Sequence, residues 1–105
     1  MIPKFPYVRS KPLMQAARRI PCQHCGAQDG TVCAAHSNQS IHGKGRGIKA
    51  SDIFIAALCH RCHAALDQGR EWSREQRKAI WTAAHKKTVG LLNKLGLWPE
   101  GVPQP

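Results

Sequence analysis

The chain has 105 residues, with sixteen Lys and Arg against six Asp and Glu, a net charge of +10 and a pI near 10. That length accommodates one small domain, which buries only about two-thirds of the surface its unfolded form exposes. The charge makes a polyanion the natural partner, nucleic acid or an anionic membrane surface, and with no long apolar span or lipidation motif the membrane is disfavoured.

In chain order, residues 1–9 carry Pro3 and Pro6 and read as an irregular arm. Ser10 reads as the cap of a short helix with Pro12 in its first turn, running through Leu13, Met14, Ala16, Ala17 and Arg19 and stopping before Pro21. Residues 22–26 form a tight knuckle, and Asp29-Gly30 is a turn signal. Residues 31–36 read as a strand with Val32, Ala34 and His36 on one side and Thr31, Cys33 and Ala35 on the other. Residues 37–50 are loop-like around Gly43-Lys44-Gly45-Arg46-Gly47. The apolar run after Asp52, ending at Leu58, reads as a buried strand returning beside the first. A short helix over 60–68 then ends at Gly69.

Ser73-Arg74-Glu75-Gln76 is a capping box. It opens a helix of about six turns with Ile80, Ala84, Leu91 and Leu95 on one face, ending at Gly96. Gly90 within it costs about 1 kcal/mol relative to Ala and marks a place for a bend. The tail after Trp98 reads as irregular. No internal repeat or domain boundary is visible, so residues 1–105 are expected to form a single domain.

Chemistry concentrates at Cys59-His60-Arg61-Cys62-His63. The string matches a c-type haem attachment pattern, a thioredoxin-like redox pair, and half of a zinc site. Haem attachment needs an exported chain and a redox pair needs repeated βαβ units, neither of which is apparent. A second pair, Cys22 and Cys25, completes a four-thiolate set for structural zinc. In so small a domain such an ion contributes to folding. Five cysteines is an odd number, and without a signal peptide reduced thiols in the cytoplasm are expected. Cys33 is the spare, read as a buried structural thiol.

A CxxC knuckle, a strand ending in His, a loop, a second strand and CxxC-His on a helix resemble the HNH or His-Me finger nucleases. The likeness is greatest to the phage and prophage nuclease family typified by YbcO, with a related likeness to the RecA-dependent phage nuclease Ref. It rests on Ala35-His36, the Gly-Lys-Gly-Arg-Gly loop, Asp52, Leu58-Cys59-His60-Arg61-Cys62-His63 and Leu66-Asp67, and spans roughly residues 20–69.

The resemblance implies an α+β fold: a zinc-bound treble clef holding a ββα-metal unit, flanked by an N-terminal and a long C-terminal helix. It implies a metal-dependent endonuclease hydrolysing DNA phosphodiester bonds in a bacterial cytoplasm, with a phage or host recombination protein as a further partner. Zn²⁺ is then structural, and Mg²⁺ or another divalent ion catalytic. His36 becomes the general base, since a neutral imidazole can take a proton from water. His63 becomes a ligand of the catalytic ion, which stabilises the leaving oxygen.

Asp52 has three readings: metal ligand, orienter of His36, or strand cap. Asp67 lies one helical turn beyond His63, facing the same site or solvent. Many HNH enzymes carry an Asp immediately before the base histidine; this chain has Ala35, so other groups such as Asp52, His42 or Asn38 must serve. Lys44, Arg46 and Lys49, interleaved with glycines, suit phosphate contact, though the GxxxxGK[ST] spacing of a P-loop is absent. Arg18-Arg19, Arg74, Arg77 and Lys78 extend the basic surface or are simply solvated, and His24, His60 and His85 read as surface residues. The rival function is a non-catalytic zinc finger that binds nucleic acid or assists recombination; a protein-interaction adaptor is a third option.

Overall fold

The computed structural model describes residues 7–45 and 47–105; most of the expected N-terminal arm, and Arg46 of the glycine loop, lie outside the described residues. The fold is α+β, in the order α1 (Lys11–Ala17), β1 (Cys33–His36), a 3₁₀ turn (Ser40–His42), β2 (Ile55–Leu58), α2 (His60–Asp67) and α3 (Arg74–Lys94). β1 and β2 pair antiparallel with Ala35 opposite Ala56 and His36 opposite Ile55.

Helix starts follow local chemistry. Ser10 Oγ accepts the Leu13 N–H at 3.3 Å and caps α1, while Ser73 and Gln76 cap α3 reciprocally. α1 ends at Ala17 and α2 at Asp67, slightly short of the expected limits. The strands are also shorter than the apolar runs. Thr31 is drawn out of the ladder because its N–H donates to Asp29 Oδ1 and its hydroxyl accepts the His60 N–H. Residues 52–54 are spent on a turn closed by Phe54 N–H to Ser51 O.

The hairpin is buried on both faces, which is why β2 reads as a continuous apolar run rather than an alternating one. Ala35, Ala56 and Leu58 pack with Trp81, Ala84, Leu66 and the buried cysteines. Ile55 and Ala57 face the opposite way, into Leu13, Ala16, Ala17, Ile20 and Leu92. Each fully buried Leu or Ile here stabilises the fold by roughly 1.5–3 kcal/mol.

α3 buries the expected face only in part: Ala84 is buried and Ile80 and Leu91 pack at the margin of the core, but the centre of the buried face is displaced. Its buried positions are Trp81, Ala84, Thr88 and Leu92, whereas Leu95 is 54% exposed. The stripe includes a threonine, which apolar periodicity passes over. Thr88 Oγ1 accepts the Ala57 N–H at 3.0 Å and donates to Ala84 O at 2.8 Å, satisfying a β2 amide that the two-stranded ladder leaves unpaired. Thr88→Val keeps the shape but orphans that amide, so it is expected to cost about 1–3 kcal/mol; denaturant unfolding of the two proteins measures it.

His85 is likewise not a surface residue. It stacks on Trp81 with ring centroids 4.9 Å apart, and its Nδ1 donates to Ile55 O at 2.7 Å. His42 stacks on Phe54 at 4.3 Å and bonds Ser37 Oγ through Nδ1. Burial holds both rings below the usual histidine pKa; the charges of His85 and Lys78 add to the effect on His42, and for His85 the bond to Ile55 O opposes it while Lys86 adds to it. The unfolded chain therefore takes up protons first, as pH falls through about 6.5. Stability from these rings is fully present above that pH and is lost as pH falls towards their folded-state values. Melting temperature is expected to drop on acidification below about pH 6.5, and less steeply in His85→Gln.

Candidate functional site

Two structural units meet beside the hairpin. The first is a knot of four thiols. The knuckle turns at Gly26, whose φ of 82° suits glycine, and is closed by Cys22 N–H to Ala27 O and Gly26 N–H to Cys22 O. It presents Cys22 and Cys25 to Cys59, the N-cap of α2, and to Cys62 in its first turn. All four sulfurs lie within 4.8 Å of one another, and Cys25 Sγ is 3.6 Å from Cys59 Sγ.

Tetrahedral thiolate–metal bonds of about 2.3 Å require sulfurs about 3.8 Å apart, so the cluster fits a metal ion such as zinc. Its electrostatics agree. Burial opposes ionisation of Cys22, but the backbone amides of Cys25, Cys59 and His24 outweigh it and bring its pKa to about 6. Burial raises Cys59 and Cys62, and neighbouring sulfurs raise Cys62 further. Four crowded thiols cannot all ionise alone, and a divalent cation removes that conflict.

The second unit is a cavity of about 610 Å³ lined by His36, His63, Asn38, Asp67 and Lys44, and from α3 by Arg74, Arg77 and Lys78. His36 closes β1. Its Nε2 lies 2.7 Å from Oδ1 of Asp52, a side chain 7% exposed. The other Asp52 oxygen accepts the Ser10 N–H at 2.7 Å, and Arg9 stands 3.5 Å from Oδ1. Both carboxylate oxygens are thus committed, which is the geometry of an orienting group rather than an open ligand. A carboxylate only accepts, so the Nε2 proton is fixed and Nδ1 of a neutral ring is left as acceptor.

His63 projects from the first turn of α2. Its Nε2 is 3.1 Å from Oδ2 of Asp67, one turn on, and its Nδ1 is 3.2 Å from Cys33 Sγ. Asn38 Nδ2 donates to the other Asp67 oxygen at 3.3 Å. Cys33 is half-buried, and burial pushes its thiol pKa up, with Arg18 opposing. It is neither part of the thiol knot nor a passive core residue.

The chain therefore brings His36, His63, Asn38, Asp67 and Lys44 to one cavity, with Asp52 directly behind His36. Lys49 lines a smaller adjoining recess of about 180 Å³ that shares His36, His63 and Lys44. Arg46 lies outside the described residues. His42 is committed to Ser37 and Phe54 instead of the cavity. Sequence reasoning undervalued Asp67, although its i,i+4 spacing from His63 was visible. For Arg74, Arg77 and Lys78 the sequence leaves open a basic surface or simple solvation, because the cavity they line exists only once α3 is docked. No helix among the described residues is long and apolar enough to cross a membrane. No family model, curated protein or solved structure matches the chain.

Proposed function

We infer that the chain is a metal-dependent endonuclease of the His-Me finger type, related to the YbcO-like phage and prophage nucleases, hydrolysing DNA in the bacterial cytoplasm. The observation that carries this reading is that His36, backed by Asp52, and the His63–Asp67 pair line one cationic cavity beside a four-sulfur metal knot. In this reading the knuckle, hairpin and α2 form a treble clef, and Cys22, Cys25, Cys59 and Cys62 would hold zinc as its structural ion.

His36 Nδ1 takes the proton of an attacking water while Asp52 holds the ring in its Nε2–H tautomer. His63 and Asp67 offer a nitrogen and an oxygen on adjacent turns of α2, a donor pair that compensates for Ala35. Magnesium suits it, because that ion keeps several waters and needs few protein ligands. When bound, the ion supplies Lewis-acid stabilisation of the phosphate and leaving oxygen. His63 then carries its proton on Nδ1, where Cys33 Sγ accepts it and fixes the ring. Lys44 and Lys49 attract the backbone without reading sequence.

The test is nicking of supercoiled plasmid with Mg²⁺ or Mn²⁺ by wild type and His36→Ala. Loss of cutting in the variant is the expected result, and equal cutting by both removes His36 from the mechanism. The uncharged neighbour at Ala35 favours a second reading, a non-catalytic zinc finger. That reading predicts salt-sensitive DNA binding that survives His36→Ala and His63→Ala, with no hydrolysis by any form.

A further inference from the structure

The cavity has a second wall that neither the glycine loop nor the zinc knot explains. Arg74, Arg77 and Lys78 sit at i, i+3 and i+4 in the first turns of α3, and all three border the same cavity as His36 and His63. Among the described residues none of them makes an ion pair; the carboxylates that do are Asp52 and Asp67, engaged with His36 and Arg9 and with His63. Uncompensated cations gathered on one side of a cleft repel each other and cost stability unless an anion is meant to occupy the space.

The wall is also rigidly placed. Trp81, the next residue of the stripe, is buried, also lines the cavity, and donates its indole N–H to Ala35 O at 3.1 Å, next to His36. Gln39, another residue lining the cavity, reaches Thr82 Oγ1 at 3.5 Å. α3 is thereby pinned to the strand that carries His36, and its cations line the same cavity as Lys44.

We propose that the Arg74–Arg77–Lys78 stripe is the main backbone clamp of this site, holding successive phosphates of one DNA strand against the α3 side of the cavity that Lys44 also lines. Four residues of helix rise about 6 Å, against about 3.4 Å of duplex axis per phosphate in one strand, so the stripe spans about two phosphates. Contact is to the backbone, so the clamp adds affinity without sequence preference. The proposal rests on the nuclease reading for its polyanion, and its test separates the two.

The experiment measures binding of the zinc-loaded protein to a short fluorescein-labelled duplex across a salt titration, without magnesium. Each phosphate contact contributes about 0.9 to the slope of log K against log salt. The triple variant R74Q/R77Q/K78Q is expected to flatten the slope by about 2. Arg77 Nε also donates to Trp72 O, so the pair R74Q/K78Q, which leaves that bond intact, is measured alongside and should flatten it by more than half as much. K86Q/K87Q/K94Q, with the same charge change on exposed positions of α3 away from the cavity, should leave the slope nearly unchanged. Equal flattening by the two triples, or none by the cavity set, overturns the clamp and leaves the nuclease reading standing. A wild-type protein with no affinity for the duplex at low salt overturns both.

Discussion

Cys59→Ser is expected to unfold the domain rather than weaken it locally. Cys59 contributes one of the four clustered sulfurs, caps α2, and packs in the core with Leu58, Leu66 and Trp81. Losing the ion uncouples the knuckle at residues 22–26 from the helix that carries His63. Structural zinc can supply folding free energy of order 10 kcal/mol, comparable to the roughly 5–15 kcal/mol net stability of a whole domain. Metal analysis should find one zinc per chain in the wild type and none, or far less, in the variant, with the cooperative melting transition lost. Cys22→Ser should behave alike and Cys33→Ser should not, because Cys33 is outside the knot. Unchanged zinc content and melting in Cys59→Ser would refute the four-sulfur centre.

The second large effect concerns the His36–Asp52 pair. General-base removal by His36→Ala should slow DNA cleavage about 10²- to 10⁴-fold while leaving duplex affinity close to wild type. Asp52→Asn is the more discriminating change. An asparagine can present its amide N–H to Nε2, which drives the ring proton to Nδ1 and removes the lone pair that accepts from water. Cleavage should then fall although the residue stays nearly isosteric. The new amide can keep the Ser10 N–H bond through its oxygen, so melting should change less than activity. Full activity in Asp52→Asn would show that the 2.7 Å contact is structural alone.

Features set by neighbours in the chain were legible from the sequence. The caps at Ser10 and Ser73, the two CxxC pairs and the order of the three helices and two strands depend on spacings of a few residues; the 3₁₀ turn at Ser40–His42 falls in the expected loop. The return of β2 beside β1 followed from that order, whereas placing His36 and His63 at one site came from the nuclease resemblance; both line one cavity. What escaped was decided by docking. The buried face of α3 turns on Thr88, a polar residue buried because Ala57 needs an acceptor. His85 is drawn inward by Trp81 and Ile55 O, and His42 by Ser37 and Phe54. Apart from Trp81, one helical turn from His85, those partners lie five or more residues from the group they capture, so no local pattern announces them. Asp52 stayed three-valued for the same reason: its two oxygens are claimed by His36 and Ser10, sixteen and forty-two residues away.

A crystal structure of the wild-type protein soaked with Mn²⁺ and a short oligodeoxynucleotide tests the central claim most directly. The account predicts anomalous density between His63 Nε2 and Asp67, a phosphate touching that ion, and His36 Nδ1 on the phosphate's other side. Manganese bound away from His63 and Asp67, or a phosphate that never approaches His36, would contradict it.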